Sequence, residues 1–204
     1  MAGVSRRFSR TLIRPGWRAI VLLSYKLWGI EVINKLLLVA GKGRASDLLR
    51  RFGARIDRGD RILTPLIMHN AENNYEHLSI GKNCHVGRDV FLDLRKPIVI
   101  GDDVTVSMRV TILTHMDVGN TPLRHIYPLQ EAEVSIGSGA YIGAGAILLS
   151  GTVIGECATV AAGAVVRGTV PPFSVVAGVP AKVVKRHARD PQSERQAVVE
   201  LPVR

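Results

Sequence analysis

From Ile136 onward an aliphatic residue recurs every six positions: Ile136, Ile142, Leu148, Ile154, Val160 and Val166. Four positions after each stands a small or β-branched residue: Ala140, Ala146, Thr152, Ala158, Ala164 and Val170. A helix repeats every ~3.6 residues and a strand every ~2, so neither produces this spacing. A solenoid of six-residue units does. Each unit forms one flat side of a triangular prism, and three sides close a coil. The aliphatic residue points into the prism where the side turns. The residue four places on must be small because neighbouring coils stack at ~4.8 Å. Gly137, Gly143 and Gly155 follow the aliphatic position, where a turn favours a residue tolerant of unusual backbone angles.

The same period runs upstream through Ile80, Val86 and Leu92, and again through Ile100, Val106 and Ile112. The second set is two residues out of phase with the first, which places a small insertion at Leu94–Pro97. Between Ile112 and Ile136 the period is lost. That stretch holds Gly119, Pro122, Pro128 and two histidines, and it reads as a loop over about 114–133 thrown out of the coil. Ile56 and Ile62 share the phase of Ile80, but Asn74 breaks the series, so they suggest only an incomplete first coil. The expected fold is an all-β solenoid with a protruding loop and an N-terminal helical extension. The expected organisation is an extension at 1–61, the solenoid at 62–186 and a tail at 187–204.

Residues 17–40 are the most hydrophobic stretch of the chain, yet the longest charge-free run is Ala19–Tyr25, too short to span a bilayer. Two short helices hinged near Gly29 fit it better. The second would carry Val32, Ile33, Leu36 and Leu37 on one side and a Glu31–Lys35 pair on another. A third helix is expected after Ser46, with Leu48, Leu49 and Phe52 inward and Gly53 as its stop.

Charge sharpens the picture of this segment. The net charge of the 204 residues is +10, and residues 1–61 hold 14 Lys/Arg against four Asp/Glu, so the whole excess lies there. The coil is neutral, which disfavours nucleic acid as its partner. Arg6, Arg7, Arg10, Arg14 and Arg18 accompany Trp17, Tyr25 and Trp28, a pattern that suits an anionic membrane surface. A helical cap closing the open end of the prism is the compatible structural alternative. A secretory or twin-arginine signal is not the expectation, because further arginines interrupt the segment and no A-x-A-like cleavage site follows. Aromatics are only 5% of the chain, as a narrow prism filled by Ile, Val, Leu and Ala requires. Cys84 and Cys157 form neither a disulfide framework nor a C-x-x-C metal motif and read as small buried hydrophobes in a reducing, cytosolic setting.

A solenoid is a scaffold, so activity must come from a site. His115 stands three residues after Ile112, where the regular coil stops and the loop begins. An imidazole there is rigidly held beside a segment able to cover a substrate, and it is suited to accept a proton at neutral pH. No G-x-S-x-G elbow occurs, so a serine-nucleophile hydrolase is unsupported.

From about Ser79 to Arg186 the chain resembles the hexapeptide acetyltransferases of the maltose/galactoside O-acetyltransferase type and the related polysaccharide and capsule enzymes. The text that carries the likeness is IGDDVTVSMRVTILTH, then SIGSGAYIGAGAILLSGTVIGECATVAAGAVVRGTVPPFSVVAGVPAKVVKR. The run through Ala177-Gly178-Val179-Pro180-Ala181-Lys182 matches the family's C-terminal signature. The resemblance implies a left-handed parallel β-helix, acetyl-CoA as cosubstrate with no metal, and a homotrimer with active sites between prisms. It also implies His115, in the Thr114-His115 pair, as general base for direct attack of an acceptor hydroxyl. CoA contacts carry over to Ala144, Ala162, Arg167, Lys182 and Lys185, although Gly168 replaces the family lysine before the Pro-Pro pair and Tyr141 the usual tryptophan. Relatives carry an asparagine and, five residues on, an aspartate near the segment matched by GRDVFLDLR; here Asp89 and Asp93 are four apart and no asparagine stands there. The resemblance thus makes Asp93 the first candidate to contact an acceptor hydroxyl or orient His115, with Asp117 and Asp89 as competitors.

The acceptor expected is a saccharide, in surface polysaccharide or lipopolysaccharide biosynthesis, with the enzyme in the cytoplasm or peripheral to the inner face of its membrane. A streptogramin-type antibiotic acetyltransferase shares the coil and base. A serine acetyltransferase shares VFLDLRKPIVIGDDVTVSMRVTI but has a histidine where Arg109 and Val110 stand. A γ-class carbonic anhydrase lacks its zinc histidines here. Sugar nucleotidyltransferases need a larger N-terminal domain than 61 residues, and a non-enzymatic scaffold is the alternative of a different class.

Overall fold

The structure is a computed structural model that describes residues 15–187 apart from 42 and 58; the leading arginines Arg6–Arg14 and the tail 188–204 lie outside the described residues. Six coils follow one another. The first is β1 (Arg55–Ile56), β2 (Arg61–Ile62) and β3 (Leu66–His69), and the second β4 (Leu78–Ile80), β5 (His85–Val86) and β6 (Val90–Asp93). The third is β7 (Ile98–Ile100), β8 (Thr105–Val106) and β9 (Thr111–Ile112), after which β10 (His115–Met116) and β11 (Gln130–Glu131) form the stem of the loop. The fourth is β12 (Val134–Ile136), β13 (Tyr141–Ile142) and β14 (Ile147–Leu148), and the fifth β15 (Val153–Ile154), β16 (Thr159–Val160) and β17 (Val165–Val166). The last comprises β18 (Thr169–Val170) and β19 (Ser174–Ala177), closed by the antiparallel β20 (Lys182–Arg186). Coil upon coil, these strands build three parallel sheets: sheet A begins with β1, sheet B with β2 and sheet C with β3.

The hexad residues are the inward-facing members of these two-residue strands. Ile142, Leu148, Val160 and the small Ala146, Ala158 and Ala164 are fully buried. Each large aliphatic side chain removed from water contributes about 1.5–3 kcal/mol, which compensates for strands too short to be stable alone. The glycines after the hexad position serve a different purpose from the one expected. Gly143 and Gly155 do not adopt a left-handed backbone. A Cβ there would lie 2.5 Å from Ala162 N and 2.4 Å from Pro172 N, the backbone of the next coil. Close stacking excludes the side chain, and turn strain does not.

The first coil is complete, so the solenoid starts at Arg55 and not at 62. Ile56, Ile62 and Met68 are buried in register with Ile80, Val86 and Leu92. Asn74 broke the expected series because residues after His69 leave the prism before the second coil begins.

The N-terminal segment forms α1 (Pro15–Trp28), α2 (Ile30–Val39) and α3 (Arg44–Arg51), with Gly29 at φ 65° as the hinge. Ile33 and Leu37 of α2 are fully buried, α2 packs on β3, and α3 packs on β1 and β2. These two helices cap the open end of the prism. Buried Tyr75 joins cap to coil by donating to Asn34 Oδ1 (2.8 Å), and burial pushes its phenol up, so it stays neutral. Two details differ from expectation. The third helix starts two residues before Ser46, whose hydroxyl is buried without a partner and caps nothing. Glu31 accepts from Asn34 Nδ2 (3.3 Å), the i,i+3 neighbour, in place of pairing with Lys35.

Candidate active site

An unbroken coil takes 18 residues, as from Ile136 to its neighbour Ile154. Ile56 to Ile80 takes 24, Ile80 to Ile100 takes 20, and Ile100 to Ile136 takes 36. All the extra residues leave the prism at the same place, the corner between sheets C and A, after β3, β6 and β9. Three successive coils therefore deliver their irregular segments to one spot.

His115 is there, and its Nδ1 lies 2.6 Å from Asp93 Oδ2. Asp93 comes from the coil below and is completely buried. Its Oδ2 also accepts from Thr114 N (2.8 Å) and Thr114 Oγ1 (3.0 Å), and its Oδ1 accepts from Asn70 Nδ2 (2.8 Å). Burial alone would raise the Asp93 carboxyl. The hydrogen bonds from His115, Asn70 and Thr114 outweigh it and hold the group below the usual carboxylate range. An ionised carboxylate only accepts, so Nδ1 must carry the imidazole proton. The Nε2 lone pair is then the ring's proton-accepting position. The His115 side chain is 20% exposed, enough to meet a substrate from one side.

The surroundings hold this arrangement rigid. Thr114 is fully buried, its hydroxyl accepting from Lys96 N (3.0 Å), and Ser150 Oγ of the fourth coil donates to Thr114 O (2.9 Å). Across the loop stem His115 is opposite Glu131, and Glu131 pairs with Arg95 and with Lys96 Nζ (2.9 Å). Those bonds from Lys96 and Arg95 hold the Glu131 carboxyl below its usual range. The His69 ring lies 6.5 Å from that of His115 and 5.7 Å from Phe91, so a short row of rings borders His115.

The other anticipated residues fall elsewhere. Asp89 is exposed at a left-handed turn position, φ 56°. Asp117 is exposed and its Oδ1 accepts from Gly119 N (2.7 Å), capping the loop. Neither joins Asp93 at His115. Asp93 itself is enclosed with both oxygens engaged, a geometry for orienting the imidazole and not for touching an acceptor. Ala144 and Ala162 lie on a different corner, between sheets B and C, where Gly163 N donates to Ala144 O (2.9 Å). Lys182 emerges close by, since Ala181 N donates to Val165 O (2.8 Å), and exposed Lys185 is opposite Val175. Arg167 is on the His115 corner, two coils further on. One chain therefore separates His115 from the small-residue corner by a whole side of the prism.

Asn70, Glu131, Arg95 and His69 were not found by sequence reasoning. The only signal for Asn70 was the break in period that follows Met68. Among the described residues no group of three or more His, Cys, Asp or Glu is placed to hold a metal. Cys84 and Cys157 are both free, and burial pushes the Cys84 thiol up.

Residues 133–168 match the family described as bacterial transferase hexapeptide (six repeats), and residues 77–113 match the hexapeptide repeat of succinyl-transferase. The galactoside O-acetyltransferase of Escherichia coli K12 is 30% identical over 115 residues, 53% of this chain and 57% of that protein. The serine acetyltransferase of Salmonella typhimurium is 30% identical over 137 residues, 67% of this chain and 48% of that protein. The chain thus spans about half the length of the curated relatives it matches. A hexapeptide-repeat acetyltransferase of Vibrio cholerae solved with acetyl coenzyme A superposes with a TM-score of 0.65 at 21% identity, covering 85% of this chain and 90% of that one. That likeness is one of fold, a left-handed β-helix of stacked coils, and both repeat matches fall on those coils. With its hexads, its three-sheet prism and its loop at the end of the third coil, the chain carries the hexapeptide repeat of bacterial transferases on both sides of that loop.

Proposed function

We propose that the protein is an acetyl-CoA-dependent O-acetyltransferase acting on a saccharide hydroxyl. The observation that carries this reading is the pairing of His115 Nδ1 with fully buried Asp93, which leaves Nε2 as the basic nitrogen of a partly exposed ring. The acceptor hydroxyl gives its proton to Nε2 while its oxygen attacks the thioester carbonyl. The tetrahedral intermediate collapses with cleavage of the C–S bond, and the proton passes from His115 to the departing thiolate. No acyl-enzyme forms. Asp93 is a positioning residue that fixes the tautomer and faces the imidazolium with a negative charge.

The residues of the small-residue corner fit the cosubstrate. Ala144 and Ala162 leave room for a pantetheine arm along the coil, and Lys182 and Lys185 offer charge to its phosphates from that side, while Arg167 does so from the His115 corner. Because His115 and Ala144/Ala162 occupy different corners, one complete site takes His115 from one prism and the small-residue corner from the next. A homotrimer supplies three such pairings. His69 and Phe91 border the acceptor side. The galactoside relative supports a saccharide, and we place the reaction in the cytoplasm, in surface polysaccharide assembly. The serine acetyltransferase relative supports a second acceptor, serine, on the same machinery.

Free-thiol release with acetyl-CoA, screened over oligosaccharides, galactosides, serine and a streptogramin, separates these readings. His115→Ala should fold normally, since the residue is outside the prism, and lose roughly two orders of magnitude or more with the best acceptor. Retention of more than about a tenth of the activity overturns the assignment of the base and favours a scaffold.

A further inference from the structure

The reaction leaves α1 unexplained. α2 and α3 suffice to close the prism, and α1 lies outside them. Its position is fixed, because Val21 is buried, the Tyr25 ring packs on Phe52 (4.7 Å) and Tyr25 Oη donates to Asn73 O (2.8 Å). With that side turned inward, Ile20, Leu23 and Leu27 form a stripe at i, i+3 and i+7 on the outer side, and Trp28 ends it. All four are more than half exposed. A helix with two apolar faces, one packed and one open to water, presents the second to something else.

We infer that this outer face of α1 docks the protein onto an anionic lipid bilayer, lying in the headgroup region without crossing it. Three observations on the chain converge. No helix among the described residues is long and apolar enough to cross a membrane. Trp28, at the helix end beside exposed Lys26, is the amphipathic ring that prefers the water–lipid boundary. The charge surplus of ten is confined to residues 1–61, with Arg6, Arg7, Arg10 and Arg14 immediately before the helix. Clustered Lys and Arg next to an apolar face are attracted by acidic headgroups. A second copy of this chain is the wrong occupant. Pairing two such faces would bring two surpluses of positive charge together with nothing to neutralise them.

The test uses the full-length protein and vesicles of phosphatidylcholine with or without about one third phosphatidylglycerol. Co-sedimentation should show binding to the anionic vesicles only, weakening at least about tenfold between roughly 0.05 and 0.5 M salt. In a Trp17→Phe background the emission of Trp28 should shift to the blue on binding. The double variant Leu23→Glu/Leu27→Glu changes exposed positions far from the active site. It should keep its fold, oligomeric mass and turnover on a soluble acceptor while losing at least about tenfold in vesicle binding. The inference is overturned if wild-type protein ignores anionic vesicles at low salt, or if the double variant binds as wild type. It is overturned equally if the double variant falls apart into smaller species, since the face then belongs between subunits.

Discussion

Replacing Asp93 by asparagine removes one charge and almost no volume from the centre of the site. Every group around the carboxylate is a donor: His115 Nδ1 (2.6 Å), Thr114 N (2.8 Å), Thr114 Oγ1 (3.0 Å) and Asn70 Nδ2 (2.8 Å). The new amide has one acceptor and one donor end. Three donors converge on the Oδ2 side, so the amide oxygen belongs there, and the amide nitrogen then faces Asn70, which can flip to offer its oxygen, while the long bond from Arg95 N (3.4 Å) is lost. Geometry and tautomer survive, and the loss is that of a charged partner for the imidazolium. A hydrogen bond to a charged group contributes about 1.5–3 kcal/mol, and each ~1.4 kcal/mol is tenfold in rate. Asp93→Asn should therefore lower kcat/KM by roughly 10- to 150-fold in the thiol-release assay. The same variant has a second readout. The Asp93 carboxyl lies below its ordinary value of 3.8 in the folded protein, so its contribution to stability is present above that pH and is lost as pH falls through the folded-state value. The variant should flatten the acid limb of the stability profile. A variant that keeps more than about half of wild-type kcat/KM, with the acid limb unchanged, refutes the account of Asp93 as the charged partner of His115.

Asn70 occupies a left-handed position (φ 54°) while donating to Asp93, so Asn70→Gly removes the bond without backbone strain and should cost roughly 3- to 10-fold in kcat. Asn70→Ala adds strain and should melt lower than Asn70→Gly by denaturant unfolding; equal stabilities and full activity in both would remove Asn70 from the site. Gly155→Ala sets a Cβ 2.4 Å from Pro172 N, whereas Gly163→Ala meets open space at φ 69°, so the first should destabilise by about 1–3 kcal/mol and by more than the second. The reverse order in urea titrations contradicts close coil stacking as the reason for glycine. Sedimentation of the full chain should give about three times its 22.2 kDa. A stable monomer with full activity excludes a site shared between prisms.

The hexads alone determined the coil. Only an inward position every six residues lets Ile142, Leu148 and Val160 be buried together, and that requirement is local and can be read along the chain. His115 was marked in the same way, as the residue where the period stops. The sequence could register that the period fails near Asn74, near Leu94–Pro97 and after Ile112, but each failure looked like an independent insertion. Stacking makes them coincide at one corner, because sheet register aligns His69 with Asp93 and Leu92 with Ile112. Asn70, 23 residues before Asp93 in the chain, is thus brought against its Oδ1. Proximity along the chain misleads for the same reason. Asp117 is two residues from His115 yet turns to Gly119, while Asp93, 22 residues away, is beside the imidazole. The purpose of Gly143 and Gly155 was equally invisible, since the atoms that forbid a side chain there belong to the next coil. Sequence fixes what each residue would bury. Which distant residues share a corner depends on how many residues each coil consumes, and only the stacked structure decides that.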